Sequence, residues 1–298
     1  MAALALWHTA YAPAKLNRFL HITGRRANGY HNLQSLMVKV GLFDVLHFRP
    51  RNDGVIRLLN PQSGISAHKD LVVRAAQLLQ AASPLSSAIG VDILLDKHIP
   101  IGAGLGGGSS DAASTLLTLN RLWGLELSMT ALAKLGLQLG ADIPFFIEGG
   151  SSAWVEGIGD EITPIKLPAP AAYCLMHPPV HVSTAIVYND PNLRRSDTPL
   201  EINSLNEMAG WDNAMEATAR QLFPTLNQYA GVFSEWAQQI GWALPRMSGS
   251  GACFFIPLEE NDWVKSLGTE EALDQALIFF KERLPSLPLP RFWLVPPL

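Results

Sequence analysis

Five glycines crowd one stretch of this chain, IPIGAGLGGGSSDAAS over residues 99–114, just before an apolar helical pattern. They are Gly102, Gly104, Gly106, Gly107 and Gly108. A backbone with so few Cβ atoms can wrap around an anion and point its N–H groups at it, and a helix N-terminus adds partial positive charge. Ser109 and Ser110 add hydroxyl groups that can donate to a phosphate or reach a phosphate-bound magnesium ion. The stretch therefore predicts a phosphate-binding loop that leads into a helix.

Two common nucleotide-binding motifs do not account for these glycines. Gly102, Gly104 and Gly107 fit the dinucleotide spacing G-x-G-x-x-G, but Pro100 interrupts the approach from the preceding strand. A P-loop requires a lysine before its hydroxyl residue, and GGGSSD has none. A flexible connector is the other interpretation, and it is disfavoured because the loop ends in Ser-Ser-Asp on an apolar helix.

Length and charge exclude several other classes of protein. The chain has 298 residues, of which 48% are hydrophobic, enough for one large domain or two ordinary ones. Its formal net charge of −4 offers no general attraction to nucleic acid or to an anionic membrane. The sequence has no apolar span of membrane length and no basic secretion start. Cys174 and Cys253 do not form a disulfide framework. We therefore expect a cytoplasmic protein without nucleic-acid or membrane partners. We also expect it to be a monomer or a weak homodimer.

Periodicity predicts an α+β chain rather than a strict alternation of strands and helices. The predicted strands lie at residues 15–24, 45–50, 54–59, 90–100, 171–178, 252–258 and 291–296. The predicted helices lie at residues 70–83, 109–124, 128–140, 213–223 and 270–284. Composition shifts toward Gly and Pro between Gly149 and Pro170, which predicts two domains, 1–160 and 161–298.

Four segments, taken in chain order, resemble the GHMP kinase superfamily, which includes galactokinases, homoserine kinases and mevalonate kinases. They are PAKLNRFLHITGRRANGYH, PIGAGLGGGSSDAA, LGADIPFF and RMSGSGAC. Within the superfamily, GRRANGYH and LGADIPFF resemble the 4-diphosphocytidyl-2-C-methyl-D-erythritol kinases of the non-mevalonate isoprenoid pathway. The resemblance spans essentially the whole chain. It implies a ribosomal-protein-like N-terminal domain and a ferredoxin-like C-terminal domain, with the active site in the cleft between them.

The resemblance implies phosphoryl transfer from ATP to a hydroxyl of a cytidine diphosphate-linked polyol. Asp142 is then the expected base, which accepts the hydroxyl proton, and Lys15 is its electrostatic partner. Such a reaction depends mainly on positioning and charge stabilisation. From the residues alone, Lys15 would be an edge-strand lysine and Asp142 a turn residue before Pro144.

Substrate recognition is expected at five further positions. The resemblance implies that Tyr30 stacks on the cytosine ring and that His31 hydrogen-bonds to it. Tyr188 would supply a second aromatic face, and Thr184 would contact the same ligand. Asn17 is expected near the sugar or methylerythritol end. An aromatic face accepts any base, whereas a positioned histidine can select one edge of a base.

ATP is expected to bind along the glycine loop and a second loop of small residues, RMSGSGAC. The implied nucleotide-binding residues are Lys97, Pro100, Gly102, Gly104, Leu105, Gly106, Gly107, Gly108, Ser109, Ser110, Ser248 and Gly249. Lys97 is expected on the adenosine side. The sequence identifies no acidic metal ligand, so Mg²⁺ is expected to be held mainly by phosphates and water.

The chain departs from the family pattern in two places, and other functions remain open. Asp70 stands where an asparagine is expected near adenine, so it is predicted to cap its helix. The segment from Asn213 to Glu216 lacks an expected aspartate. The alternatives are a homoserine or mevalonate kinase, an ATP-dependent decarboxylase of a diphosphorylated acid, and a non-catalytic ligand sensor.

Overall fold

The computed structural model describes residues 6–27, 29–62, 66–84, 88–195, 198–201, 212–259 and 269–298. Its strands are β1 (His8–Arg25), β2 (His31–Arg51), β3 (Ile56–Leu58), β4 (Gly90–Asp96), β5 (Ser152–Glu156), β6 (Glu161–Pro164), β7 (Ala172–His177), β8 (Arg246–Met247), β9 (Phe254–Leu258) and β10 (Arg291–Val295). Its α-helices are α1 (Leu71–Ala81), α2 (Gly107–Leu122), α3 (Met129–Leu137), α4 (Ile143–Glu148), α5 (Thr184–Asn189), α6 (Glu216–Leu222), α7 (Pro224–Gln239) and α8 (Thr269–Arg283). The α+β fold class is confirmed.

The first sheet is built around two long strands. Its order is β3-β4-β2-β5-β6, with β1 paired along β2. β1 has 18 residues and β2 has 21, both longer than predicted. The first half of β2 was missed because Ser35, Leu36, Met37 and Val38 are all buried, so the sequence shows no alternation there. Bulges flank Asn17 in β1, where the register shifts before Phe19.

The second sheet has the order β10-β7-β9-β8, and all of its pairings are antiparallel. The predicted strands at residues 171–178, 252–258 and 291–296 correspond to β7, β9 and β10. Helices α7 and α8 pack together through aromatic side chains, among them Tyr229, Phe233 and Phe280. α7 was not predicted from the sequence.

A hydrophobic cluster joins the two sheets beneath the glycine loop. It contains Leu16 and Val38 from the first sheet, Tyr173 and Phe255 from the second, and Leu105 from the loop itself. The two sheets also pair where β2 meets the chain after β10, through Gly41 N and Pro296 O at 2.9 Å. The glycine loop therefore lies on the seam between the sheets. The domain boundary after residue 160 stays a prediction.

Helix ends follow the local chemistry of the sequence. Asp70 caps α1 by accepting from Val72 N at 2.8 Å, as predicted, and Ser128 caps α3 by accepting from Ala131 N at 3.2 Å. α2 begins at Gly107, two residues before its predicted start, so Gly107 and Gly108 form its first turn. No helix in the described part of the chain is both long enough and apolar enough to cross a membrane.

Candidate functional site

The glycine loop adopts backbone conformations that only glycine takes readily. Gly102, Gly104 and Gly106 have φ values of 70°, 75° and 69°. A Cβ on Gly104 would lie 2.2 Å from the carbonyl oxygen of Ser248 and 3.1 Å from that of Gly251. The glycine loop and the second small-residue loop therefore pack backbone against backbone. This contact explains why both loops consist of small residues.

Two cavities meet at the glycine loop. One, of about 370 Å³, is lined by Asp70, Leu71, Lys97 and the loop from Pro100 to Ser109. The other, of about 800 Å³, is lined away from the glycine loop by Lys15, Asn17, Tyr30, His31, Asp142, Thr184, Tyr188 and Gly249. Both cavities share Gly102, Gly104, Gly106 and Ser109. The structure thus brings most of the predicted residues into two compartments joined by the glycine loop, whereas Ser110 and Ser248 line neither cavity.

Lys15 and Asp142 face each other in the larger cavity. Lys15 Nζ lies 3.6 Å from Asp142 Oδ2, and the two side chains are 5% and 33% exposed. Asp142 directly precedes α4, and its carboxylate makes no capping hydrogen bond to that helix. Lys15 Nζ also donates to Asn17 Oδ1, and Asn17 Nδ2 donates to Ser35 Oγ at 2.8 Å. This chain of bonds holds the ammonium against a partly exposed carboxylate.

Asn17 and Ser248 connect this pair to the glycine loop. Asn17 N donates to Ser248 Oγ at 3.1 Å, and the same hydroxyl donates to Gly104 O at 3.0 Å. Ser248 is fully buried, so it positions the loops and lines neither cavity. Its part in phosphate binding stays a prediction.

The second small-residue loop is held by two residues to which the sequence gave no clear role. Asn213 Nδ2 donates to the carbonyl oxygens of Met247 and Gly249 at 2.8 and 2.7 Å. Glu216 Oε2 accepts from Met247 N at 2.9 Å. The segment from Asn213 to Glu216 therefore supports this loop although it lacks the expected aspartate. The only sequence signal was its similarity to a family segment.

Lys97 is neutralised by two buried carboxylates, Asp44 and Asp111. Its Nζ donates to both, at 2.8 Å for Asp111. Asp44 also accepts from the backbone N–H groups of His98 and Ile99 at 2.6 and 2.8 Å. Burial raises the pKa of Asp111 to about 7, an effect that Lys97 opposes and the Asp44 charge reinforces. Lys97 lines the smaller cavity, but its contact with a nucleotide stays a prediction.

The aromatic end of the larger cavity combines an exposed ring with a stacked pair. Tyr30 is 59% exposed. His31 stacks on Tyr188 with ring centroids 5.0 Å apart and an interplanar angle of 19°. That spacing leaves no room for a base between His31 and Tyr188. Stacking of cytosine between Tyr30 and Tyr188 would therefore need the other face of the Tyr188 ring or a movement of these rings. Thr184 Oγ1 lies 2.6 Å from Ser250 Oγ at the start of α5.

The residues after the glycine loop bear on magnesium binding, because they supply hydroxyl oxygen atoms but no cluster of acidic ligands. The described part of the chain contains no group of three or more His, Cys, Asp or Glu residues able to hold a metal ion. Ser109 lines both cavities. Ser110 is fully buried, and its Oγ has no hydrogen-bond partner among the described residues. The Ser109 hydroxyl therefore fits a Mg²⁺ ion that arrives with phosphate and water ligands, whereas Ser110 does not reach either cavity.

Sequence comparison identifies relatives over most of the chain. Residues 70–150 match the model of the GHMP kinases N terminal domain. The 4-diphosphocytidyl-2-C-methyl-D-erythritol kinase of Chromohalobacter salexigens is 46% identical over 252 residues, which are 83% of this chain and 81% of that protein. The enzyme of the same name from Ralstonia pickettii is 45% identical over 264 residues, covering 87% and 88% of the two chains.

Solved structures agree with these sequence matches. A crystal structure of 4-(cytidine 5'-diphospho)-2C-methyl-D-erythritol kinase superposes with a TM-score of 0.73 at 32% identity, covering 97% of this chain and 99% of that one. Homoserine kinase from Cytophaga hutchinsonii gives a TM-score of 0.64 at 18% identity, covering 99% of this chain and 96% of that one. Mevalonate kinase from Methanococcus jannaschii gives 0.64 at 16%, covering 99% and 100%. The last two likenesses establish the shared fold alone.

Proposed function

The chain belongs to the family of 4-diphosphocytidyl-2-C-methyl-D-erythritol kinases, and we propose that it transfers the terminal phosphoryl group of ATP to the 2-hydroxyl of that alcohol. The observation that carries the proposal is the pair Lys15 and Asp142, 3.6 Å apart, in a cavity that shares the glycine loop with a second cavity. Both cavities reach the same loop, so an alcohol in one cavity and a nucleotide in the other can place the hydroxyl next to the terminal phosphate. Positioning of this kind accounts for much of the rate in phosphoryl transfer.

The nucleotide occupies the smaller cavity in this proposal. Its phosphates reach the glycine loop, where the N–H groups at the start of α2 and the helix dipole favour negative charge. Leu71 and Leu95 supply apolar surface for the adenine end, while Asp70 is engaged in capping α1. Lys97 contributes little net charge here because Asp44 and Asp111 already pair with it. Nucleotide binding then depends mainly on the backbone of the loop.

The alcohol occupies the larger cavity, with its reacting hydroxyl at Asp142. The carboxylate accepts the hydroxyl proton as the oxygen attacks the phosphorus atom. A carboxylate is a weak base at neutral pH, so its placement matters more than its strength. Lys15 is almost fully buried, so its ammonium stabilises the developing negative charge with little screening by water. Asn17 fixes the Lys15 ammonium by accepting one of its hydrogen bonds.

The cytidine end of the alcohol lies against the aromatic residues of the same cavity. Tyr30 presents an exposed ring for stacking, and His31 and Tyr188 form the adjoining wall. Thr184 lines the cavity beside them. A cavity of about 800 Å³ is within the range that small-molecule sites occupy.

Mg²⁺ is part of the proposal because the hydroxyls of Ser109 and Ser110 follow the phosphate-binding loop directly. When bound, the ion supplies neutralisation of charge on the transferred phosphoryl group. Ser109, which lines both cavities, would contribute a hydroxyl oxygen, and phosphates and water would complete the coordination. We also propose a cytoplasmic location, since both cysteines are buried free thiols, as in proteins of reducing compartments. That the protein is a monomer or a weak homodimer stays a separate proposal.

The experiment that tests this function measures ADP release with ATP, magnesium and 4-diphosphocytidyl-2-C-methyl-D-erythritol, with homoserine and mevalonate as control alcohols. Turnover is expected with the cytidyl alcohol alone. Asp142→Asn removes the base and is expected to lower kcat by about 10²–10⁴-fold. Asp96→Asn is the matched control, because that carboxylate is 56% exposed at the end of β4. Turnover on a control alcohol, or an Asp142→Asn enzyme with wild-type kcat, would refute the proposal.

A further inference from the structure

Arg195 holds together two segments at the aromatic end of the larger cavity. Its Nε donates to His31 Nε2 at 3.0 Å. Its Nη2 donates to the carbonyl oxygens of Tyr188 and Asp190 at 2.8 and 2.7 Å, and its Nη1 donates to Leu193 O at 3.1 Å. Those carbonyls belong to the end of α5 and to the turn after it. One guanidinium therefore fixes His31, at the start of β2, relative to the α5 segment.

The bond from Arg195 determines which nitrogen of the His31 ring carries a proton. A guanidinium has only N–H donors and no acceptor, so His31 Nε2 must be the acceptor. A neutral imidazole whose Nε2 is bare carries its proton on Nδ1. His31 therefore offers one further hydrogen bond, as a donor through Nδ1–H.

The surrounding charges favour the same neutral form of His31. Burial lowers the pKa of His31, and the positive charges of Arg195 and Arg25 lower it further. Tyr188 stacks on the ring, and burial raises the pKa of Tyr188 to about 12, with a contribution from the Asp142 carboxylate. Tyr188 is therefore a neutral phenol at neutral pH and offers no negative charge to an imidazolium.

We propose that Arg195 is a positioning residue that holds His31 as its neutral Nδ1–H tautomer, so that the ring presents a fixed hydrogen-bond donor to an acceptor atom of the substrate's pyrimidine. This inference rests on the proposed function, in which the cytidine end of the alcohol occupies this part of the cavity. A donor that is already oriented loses less entropy on binding than a ring that must first choose a tautomer and a rotamer. Arg195 acts through His31 and does not itself contact the substrate.

The direct test is nitrogen NMR of the imidazole rings in ¹⁵N-labelled protein at neutral pH, without ligand. The His31 signals are identified by their loss in a His31→Gln variant. The wild-type protein is expected to carry the proton on Nδ1 with Nε2 bare. Arg195→Met keeps a long side chain but has no donor, and it is expected to let the proton move to Nε2. A wild-type His31 that is protonated on Nε2, or on both nitrogens, would overturn the proposal.

Kinetics of the same variant separate positioning from general structural support. Arg195→Met is expected to raise KM for the cytidyl alcohol about tenfold, the effect of losing about one hydrogen bond. KM for ATP and kcat are expected to stay within about twofold of wild type. Arg195→Lys restores a single donor and is expected to recover part of the loss. Arg194→Met is the matched control, since that neighbouring side chain pairs with Asp212 at the surface, at 2.7 Å.

The two proposals fail in different ways. A wild-type enzyme that does not use the cytidyl alcohol refutes the proposed function. Nε2 protonation in an enzyme that does use this alcohol refutes only the role of Arg195. An Arg195→Met enzyme that loses affinity for ATP and for the alcohol equally would also overturn that role, because it would show a merely structural contribution.

Discussion

Lys97 and its two carboxylate partners leave one buried negative charge in excess. Asp44 is well satisfied, since it accepts from two backbone N–H groups as well as from Lys97. Asp111 shares the same ammonium, and its Oδ1 has no hydrogen-bond partner among the described residues. Asp111 is therefore the carboxylate whose charge is least compensated by the fold. Its pKa, raised mainly by burial to about 7, has this physical origin.

Asp111→Asn is expected to stabilise the protein at alkaline pH. The pKa of Asp111 is higher in the folded chain than in the unfolded one, so its contribution to stability is complete below about pH 3.8 and is lost as pH rises from there to about 7. The amide removes this loss. We expect Asp111→Asn to raise the free energy of unfolding by about 1–3 kcal/mol more at about pH 8 than at about pH 5, where the loss is still incomplete. Urea unfolding at both pH values measures it.

Asp44→Asn is the matched control for that prediction. It weakens the acceptor for the N–H groups of His98 and Ile99, so we expect it to lower stability at both pH values. If Asp111→Asn lowers stability at high pH as much as Asp44→Asn does, then Asp111 is stabilised as an anion and the reasoning fails.

This cluster shows what a sequence cannot supply at the residue scale. Asp44 precedes Lys97 by 53 residues, and nothing in local periodicity pairs them. The sequence alone therefore predicts that Lys97 is a free cation able to contact a nucleotide, whereas in the fold it pairs with Asp44 and Asp111. By contrast, Asp70 was predictable as a helix cap, because its bond to Val72 N is local.

At the scale of elements, the glycine loop was predictable and the long strands were not. The run of glycines before an apolar helix specifies a loop with few side chains, and the positive φ values at Gly102, Gly104 and Gly106 agree with it. The start of α2 at Gly107 was missed, since glycine is a poor helix former and its presence there depends on the surrounding packing. The first half of β2 was missed because burial on both faces removes the alternation that marks a strand.

Gly104→Ala is expected to damage the site far more than an ordinary glycine substitution. Its Cβ would meet the Ser248 carbonyl oxygen at 2.2 Å, so the two loops must separate. We expect kcat/KM for ATP to fall by at least about tenfold, together with a lower Tm. Steady-state kinetics and thermal unfolding measure both effects.

Gly124→Ala is the control for Gly104→Ala. It introduces a side chain at a φ of 63° with nothing within 4 Å of the new Cβ, so it carries backbone strain without a clash. We expect it to lower stability by about 1 kcal/mol and to leave kcat/KM unchanged. Equal effects of the two substitutions would show that strain alone, and not the contact between the loops, explains Gly104.

At the scale of the whole molecule, the site depends on contacts between distant parts of the chain. Asn17 and Ser248 are 231 residues apart and share a hydrogen bond. Periodicity and composition predicted the α+β class but gave no means of docking one sheet against the other. Family resemblance supplied the expectation of a cleft, since it carries information about contacts that single elements lack.

Asn213→Ala is expected to loosen the second small-residue loop, which packs against the glycine loop. It removes the donor to the Met247 and Gly249 carbonyls, which are otherwise held at 2.8 and 2.7 Å. We expect the free energy of unfolding to fall by about 1–3 kcal/mol and kcat/KM to fall with it, because Gly249 borders the larger cavity. Urea unfolding and steady-state kinetics measure the two effects.

Asn227→Ala is the matched control, since its exposed side chain bonds only Arg220 among the described residues. A change within about 0.5 kcal/mol is expected there. If Asn213→Ala is equally mild, the loop does not depend on this amide.

The wall of glycines that the two cavities share also bears on ligand design. A nucleoside-like group in each compartment would lie on opposite sides of Gly104 and Gly106, so a short anionic linker along the loop joins them. Once one end of such a bisubstrate compound is bound, the other end is held at a high effective concentration beside its own compartment. The linker would bind to backbone N–H groups, which side-chain mutations cannot remove, so resistance by substitution would have to arise at the two ends.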